Sequence, residues 1–564
     1  MSLLHTASKA TRTLLVAGTA LTALGIAAAQ AQGSSGTYVS PRVIPLQVDV
    51  PPPAPGVQAP DLQTQMRIVP EGEPLPTGAP PPRRPVRDPV LQSDEAAGEA
   101  PITLSNPIRN FAGLTSAADP PDTVGDVGTN HYIQMVNVTR FKIWNKSGVA
   151  LTGAASFGDL WPAGNVCRSN TGDPIVVFDH LANRWLLSQF AFPNHMCIAI
   201  SRTPNPTAGT WFLYTFDTGD FPDYPKFGVW PTGYFMSSYE FPSLGVYVFD
   251  RTRMLSGLPA GFFKTTIPAL GAPGVRDTRI LPSDLDGSAP TSSNPANFFV
   301  RTVDSQQDPA NPTDRIEIYS AVPNWAGGTF SFTLANTLTP APFQTMLCNR
   351  NGGGIRDCIP QPTVATNTVD ALSNRPMMQL KYRRVGTIPT LVFTQTIDVG
   401  PSLAPVIGFT PVNEVAGLRW YELRRSGGVW SIRQQGTYAP QPAVTAENQL
   451  KHRWMGSAAI DKKGNIALGF SLTDGDPGDP NFPHIRYTGR RAADPLGQLP
   501  QGTKAISDSV NAQTQGLGAR WGDYSAMSVD PGNNCTFWFT THLAGAGGSG
   551  PRPTRIASFK FSDC

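Results

Sequence analysis

The sequence predicts an all-β protein built as a β-propeller, and three observations predict it. The 564-residue chain holds 54 Gly and 56 Pro, with 9% aromatic and only 15% charged residues. That balance suits short strands joined by turns. Apolar runs such as HYIQMVN, RWLLSQFA, MCIAISRT, GVYVFD and IALGFSL recur between Gly, Pro, Asn and Asp clusters, the pattern of half-buried strands. Finally, one design repeats: an apolar strand, an Asp, a turn with Gly or Asn, and a second apolar strand. DPIVVFDHLANRWLLSQF, MGSAAIDKKGNIALGFSL and YSAMSVDPGNNCTFWFTT share it, with Asp179, Asp461 and Asp530 at the turn. VGDVGTNHYIQMVN, with Asp126, is a weaker copy.

The elements follow in order from the N-terminus. Lys9 and Arg12 flank an apolar stretch from Leu14 to Ala29, and Ala29-Gln30-Ala31 fits a small-residue cleavage site. Residues 1–31 therefore read as a secretory signal peptide. No later apolar run is long enough to span a bilayer, so the mature chain is expected to be exported, extracellular or periplasmic, and monomeric. Residues 32–100 contain VDVPPPAPGVQAP and PTGAPPPRRPVRDP. Proline removes donors and favours extended, solvated chain, so this tract reads as a linker or disordered arm, with a propeptide as the alternative.

Residues 101–564 form the propeller domain. Its units start near Asp122, Asp173, Asp223, Asp284, Arg375, Arg453 and Trp521, which gives about seven four-stranded blades. Six or eight blades are the alternatives in count, and tandem sandwiches the alternative in architecture. An Asp at a strand end accepts hydrogen bonds from the amides of the next turn, which would lock each inner hairpin. Six cysteines in an exported chain favour disulfides. Nearest-neighbour pairing gives Cys167–Cys197, Cys348–Cys358 and Cys535–Cys564, out of fifteen possible sets.

The runs CIPQP, RWYELR, QQGTYAP, HRWMGSAAID, GNIALGFS, RYTGR and RWGDYSAMSVDP resemble a group of uncharacterised secreted bacterial propeller-like proteins. The resemblance is densest after Cys358 and brings no catalytic residue with it. Asp461 to Gly464, and Asp530 with Thr536, Phe537 and Trp538, are more weakly similar to the Asp-box turn of sialidase-type propellers. There the box is structural, which implies a scaffolding role for these residues.

The chemistry is expected where the innermost strands begin, because in a propeller those positions ring the funnel. They include Asp122, Asp173, Asp223, Asp284, Arg375, Arg453 and Asp523, with Arg520, Trp521 and Tyr524 nearby. Facing carboxylates can serve as general acid and base, so Asp122, Asp173 and Asp523 are candidates, with Tyr524 as nucleophile or proton donor. Arginine's planar fork suits carboxylate, sulfate or phosphate, so Arg375, Arg453 and Arg520 are candidates for holding an anionic sugar. Trp521 is a candidate for stacking on it. DLDG, with Asp284 and Asp286, and TDGDPGDPN are candidate calcium loops, since oxygen-rich turns suit a hard cation.

The expected activity is hydrolysis or elimination on an extracellular anionic glycan, of the sialidase-like hydrolase or lyase kind. A non-catalytic glycan- or protein-binding module is the alternative. A formal charge of +3 without a long basic run argues against nucleic acid as a partner. The histidines have no HExxH spacing, and G-x-S-x-G is absent, so zincin and nucleophile-elbow chemistry have no support.

Overall fold

The computed structural model describes residues 42–45, by backbone alone, then 87–94 and 103–564, apart from 209, 272–277, 309, 346, 349–356, 363–367, 479–480 and 515–519. The predicted signal peptide, and the arm apart from 42–45 and 87–94, lie outside these residues.

Seven antiparallel four-stranded units follow one another along the chain. Their innermost strands are Val124–Val127, Gly172–Asp179, Asp223–Trp230, Ile280–Leu285, Pro376–Val385, His452–Ile460 and Ala526–Val529. Numbered in that order, these are blades one to seven of a β-propeller. Six blades start near the predicted points. Blade four is the exception: its inner strand begins at Ile280, so Asp284 lies near the strand's far end and Arg279 precedes its start. The inner strands of blades four and five touch directly, Ser283–Leu285 pairing in parallel with Leu380–Tyr382. The two inner strands therefore run the same way, as they must if their starts are to share one end of the channel.

The ring is closed by a segment from the front of the chain. Arg109–Ser116 forms the outermost strand of blade seven, antiparallel to Arg552–Phe559. Backbone bonds extend the seam, Ser105 N to Lys560 O at 2.9 Å and Ser562 N to Thr103 O at 3.0 Å. Closure removes the exposed edge that an open sheet array would present. Two pieces of the arm add edge strands of their own. Arg42–Pro45 pairs with Thr210–Leu213 on blade two, and Leu91–Gln92 runs parallel to Thr437–Tyr438 on blade five.

Apolar side chains fill the space between neighbouring blades. One cluster joins blades one to three through residues such as Phe141, Trp185, Trp211 and Phe249. Another joins blades three to five through Trp230, Phe299, Tyr382 and Phe393. Smaller clusters join five to six, six to seven and seven to one. Alternation places one face of each sheet on each neighbour, so both faces are apolar and the strands read as nearly continuous hydrophobic runs.

The repeated Asp turns lock hairpins as expected. Asp179 accepts from Leu181 N and Ala182 N, both at 3.0 Å; Asp461 from Lys463 N at 2.8 Å and Asn465 N at 2.9 Å; Asp530 from Gly532 N at 2.8 Å. Asp126 differs. It lies within Val124–Val127 and reaches sideways, accepting from Phe178 N of blade two at 2.7 Å. Asp284 does the same for Val229 N of blade three, at 2.9 Å. An inner strand's channel-facing amides have no ladder partner, and these carboxylates supply one.

The three disulfides are Cys167–Cys197, Cys348–Cys358 and Cys535–Cys564. No helix among the described residues is long and apolar enough to cross a membrane.

Candidate active site at the propeller mouth

The inner strands begin with distorted backbone, and the distortion sits where the polar side chains gather. Asp122, Asp173, Tyr224, Met455 and Asp523 all have positive φ, between 44° and 61°. Such a conformation costs a non-glycine residue on the order of 1–2 kcal/mol. Register slips follow at the same level, between Gly172 and Ile175, Asp223 and Lys226, and Trp454 and Ser457. A bulge re-aims the side chains on either side of it. Here the result is that Asp122, Asp173, Asp223, Lys226, Asp523 and Tyr524 act on one another at the channel mouth.

Asp122 and Tyr524 are the buried centre. The Tyr524 hydroxyl lies 3.4 Å from Asp122 Oδ2 and 3.2 Å from the Pro174 carbonyl. Asn137 Nδ2 donates to the same Asp122 oxygen at 3.1 Å. Burial, and then the neighbouring charge of Asp173, push Asp122 well above the ordinary carboxylate range. Asp173 is also raised by burial, with Lys226 pulling it down. Two facing carboxyls in a dry place do not both ionise readily, so Asp122, the more buried, holds the proton. Asp223 is half-buried and is pushed up to about 7, by burial first and then by Asp173.

Cations answer these acids. Lys226 is buried, its Nζ 3.4 Å from the centre of the Tyr224 ring and 4.0 Å from that of Tyr524. Burial lowers it to about 7, while Asp173, Asp122 and Asp523 pull the other way. The two ring faces favour the ammonium form as well. Arg520 pairs with Asp523 and lies 3.6 Å from Asp370. These partners hold its charge firmly against burial. Arg375 also lies against Tyr224, its guanidinium 4.6 Å from the ring centre. The Tyr224 hydroxyl donates to the Asp523 carbonyl at 2.9 Å and so ties blade three to blade seven.

Not every predicted residue joins this group. Trp521 is buried, donates from Nε1 to Ser471 at 3.1 Å and packs on Trp454 and His542. It belongs to the apolar layer under the insertion between blades four and five, with Cys348, Ile359 and Leu372. No ring face is left for a sugar. Arg453 stands apart, its guanidinium 5.6 Å from the Tyr438 ring centre and its Nη1 3.4 Å from the Lys451 carbonyl.

Asp284 and Asp286 lie further down the channel and not at the mouth. Asp284 binds Lys381 Nζ at 2.8 Å, and Asp286 lies 3.4 Å from Arg383 Nη2. Their charge is met by protein cations, and no group of three or more candidate metal ligands occurs among the described residues. In the TDGDPGDPN turn, Asp474 accepts from Asp476 N at 3.1 Å and Asn481 Nδ2 at 2.6 Å.

Sequence reasoning did not single out Lys226, Tyr224 or Asp370 as site residues, nor Arg279, whose charge pulls Asp223 down. The signal for the first two was the stretch DYPKFGVW, where a lysine interrupts an inner apolar strand three residues after Asp223.

Comparison with known proteins gives only distant likenesses. No protein-family model matches the sequence, and no curated protein is similar to it. Among solved structures, a mutant of AofleA from Arthrobotrys oligospora aligns over 75% of this chain and 96% of its own, at 9% identity and a TM-score of 0.35. The WD40 domain of SCAP from fission yeast aligns over 80% and 97%, at 9% identity and a TM-score of 0.33. A thermostable family-43 glycoside hydrolase aligns over 69% and 92%, at 12% identity and a TM-score of 0.26. Likenesses at this level carry no functional argument. The fold rests on the chain's own sheet order, which is that of a β-propeller closed by a strand from its N-terminal side.

Proposed function

We propose that this protein is an exported carbohydrate-active enzyme that cleaves an anionic glycan at the propeller mouth by hydrolysis or elimination. One observation carries the reading: two half-buried carboxyl groups, Asp173 and Asp223, have their proton affinity raised beside a fixed cation, Arg520. A carboxyl near neutrality can give or take a proton, which is what a glycosidic oxygen or a sugar C–H requires. Burial is the main cause of both raised affinities, and Arg520, held by Asp523 and Asp370, supplies the fixed positive charge that favours a substrate carboxylate or sulfate at the mouth.

A second reading is favoured by a specific observation. Asp122, Lys226, Arg375 and Tyr524 are each no more than 2% exposed, so much of the funnel is filled by its own side chains. That suits a module which binds a glycan without cleaving it. Incubation of the purified protein with sialylated, uronic and sulfated glycans separates the two. Products that vanish in Asp173→Asn and Asp223→Asn support the enzyme. Saturable binding without products supports the module, and neither products nor binding rejects both.

A further inference from the structure

An aromatic surface adjoins the charged mouth. Phe192 stands in the turn between the second and third strands of blade two, and Phe221 in the link from blade two to blade three. Both connections lie at the end where inner strands begin. The two rings stack, with centroids 4.6 Å apart and planes 15° from parallel. Phe190 backs the pair from inside, 4.8 Å from Phe221. Phe192 leaves 42% of its surface exposed.

The stack neighbours the two half-buried carboxyls through the backbone that carries them. Asp223 N donates to the Phe221 carbonyl at 3.1 Å. On the other side, a Cβ placed on Gly172, the neighbour of Asp173, would stand 3.0 Å from the Phe190 ring. Flat apolar rings therefore lie next to groups suited to a charged sugar. Phenylalanine brings no hydrogen-bonding group, only a flat apolar face, and the C–H face of a pyranose ring is the matching surface.

We propose that the Phe192–Phe221 stack is a second subsite, which takes the C–H face of a neighbouring sugar in an oligosaccharide whose charged unit lies against Arg520, Asp173 and Asp223. This rests on the glycan reading above, and it makes the ligand a chain and not a single sugar.

Calorimetric titration with uronic acid oligomers of one to four units tests it. Phe192→Ala should weaken the tetramer by roughly tenfold and leave the monomer unchanged. Phe192→Trp should restore the tetramer, and Phe192→Leu, apolar but not flat, should not. No binding of any uronic oligomer to the wild type overturns the subsite, while the glycan reading falls only if the sialylated and sulfated glycans also fail to bind. Wild-type binding that Phe192→Ala leaves untouched overturns the subsite alone. So does an equal loss for monomer and tetramer. Self-association abolished by Phe192→Ala, with glycan affinity unchanged, would assign the patch to a second copy of the chain and also overturn the subsite.

Discussion

Asp223 shows how one side chain couples the mouth to stability. Its proton affinity is raised to about 7, with burial as the main cause. In the unfolded chain an Asp ionises near its ordinary value of about 4. Below that value both states hold the proton, and the native state pays no ionisation penalty. Between about 4 and 7 only the unfolded state releases it, so this group's contribution to stability is lost as pH rises through that window. Asp223→Asn removes the proton from both states. Its melting temperature relative to wild type should therefore climb from pH 4 to pH 8 and then level. A constant difference across that range would show that Asp223 ionises normally in the folded protein. At this scale the sequence was readable in part. Asp122, Asp173, Asp523, Tyr524 and Arg520 were found because each lies at or just before the start of an inner strand. Lys226 was not, because strict alternation fixes which face a residue takes, and the bulge between Asp223 and Lys226 breaks the alternation.

Within the blades, the Asp turns share one local geometry but not one energy. Asp461 meets neutral donors, namely two amides and Asn465 Nδ2 at 2.9 Å. Asp179 meets two amides and, in addition, Arg251 Nε at 2.7 Å and the Tyr234 hydroxyl at 2.8 Å. Asp179 is fully buried, so removing it strands a guanidinium and a phenol of the next blade. Asp179→Ala should cost about 3–5 kcal/mol, as for a broken buried ion pair. Asp461→Ala should cost about 1–3 kcal/mol, as for lost neutral hydrogen bonds. Urea unfolding of both variants measures the difference, and equal losses would contradict the assignment. The turn itself was visible in the sequence as Asp followed by Gly or Asn. Its reach into the neighbouring blade was not, because Arg251 lies 72 residues away and no local pattern marks the pair. The same limit explains Asp126 and Asp284. Both look like turn residues in the sequence, yet both serve amides of an adjacent inner strand.

Across the whole ring, the repeat set the blade count, and the cysteine order set the pairing. The closing strand Arg109–Ser116 was not legible, since its partner Arg552–Phe559 lies more than 400 residues away. Closure and the last disulfide now become one question. Cys535–Cys564 ties the chain end to the turn before Phe537–His542, the strand that pairs with Arg552–Phe559. It closes a loop of 29 residues, for which chain entropy predicts about 3–4 kcal/mol of stabilisation. Cys167–Cys197 closes a similar loop, with a separation of 30, but ties the link that enters blade two to that blade's third strand. Loop entropy alone would make the double-serine variants equally unstable. The fold predicts a difference in where the loss appears. Cys535→Ser with Cys564→Ser should speed amide exchange first along 109–116 and 552–559, the seam of the ring, while blade two stays protected. Cys167→Ser with Cys197→Ser should speed exchange in blade two and leave the seam protected. Hydrogen exchange resolved by peptide distinguishes these patterns. Uniform acceleration over all seven blades in both variants would mean that the ring opens as one cooperative unit with no weaker seam.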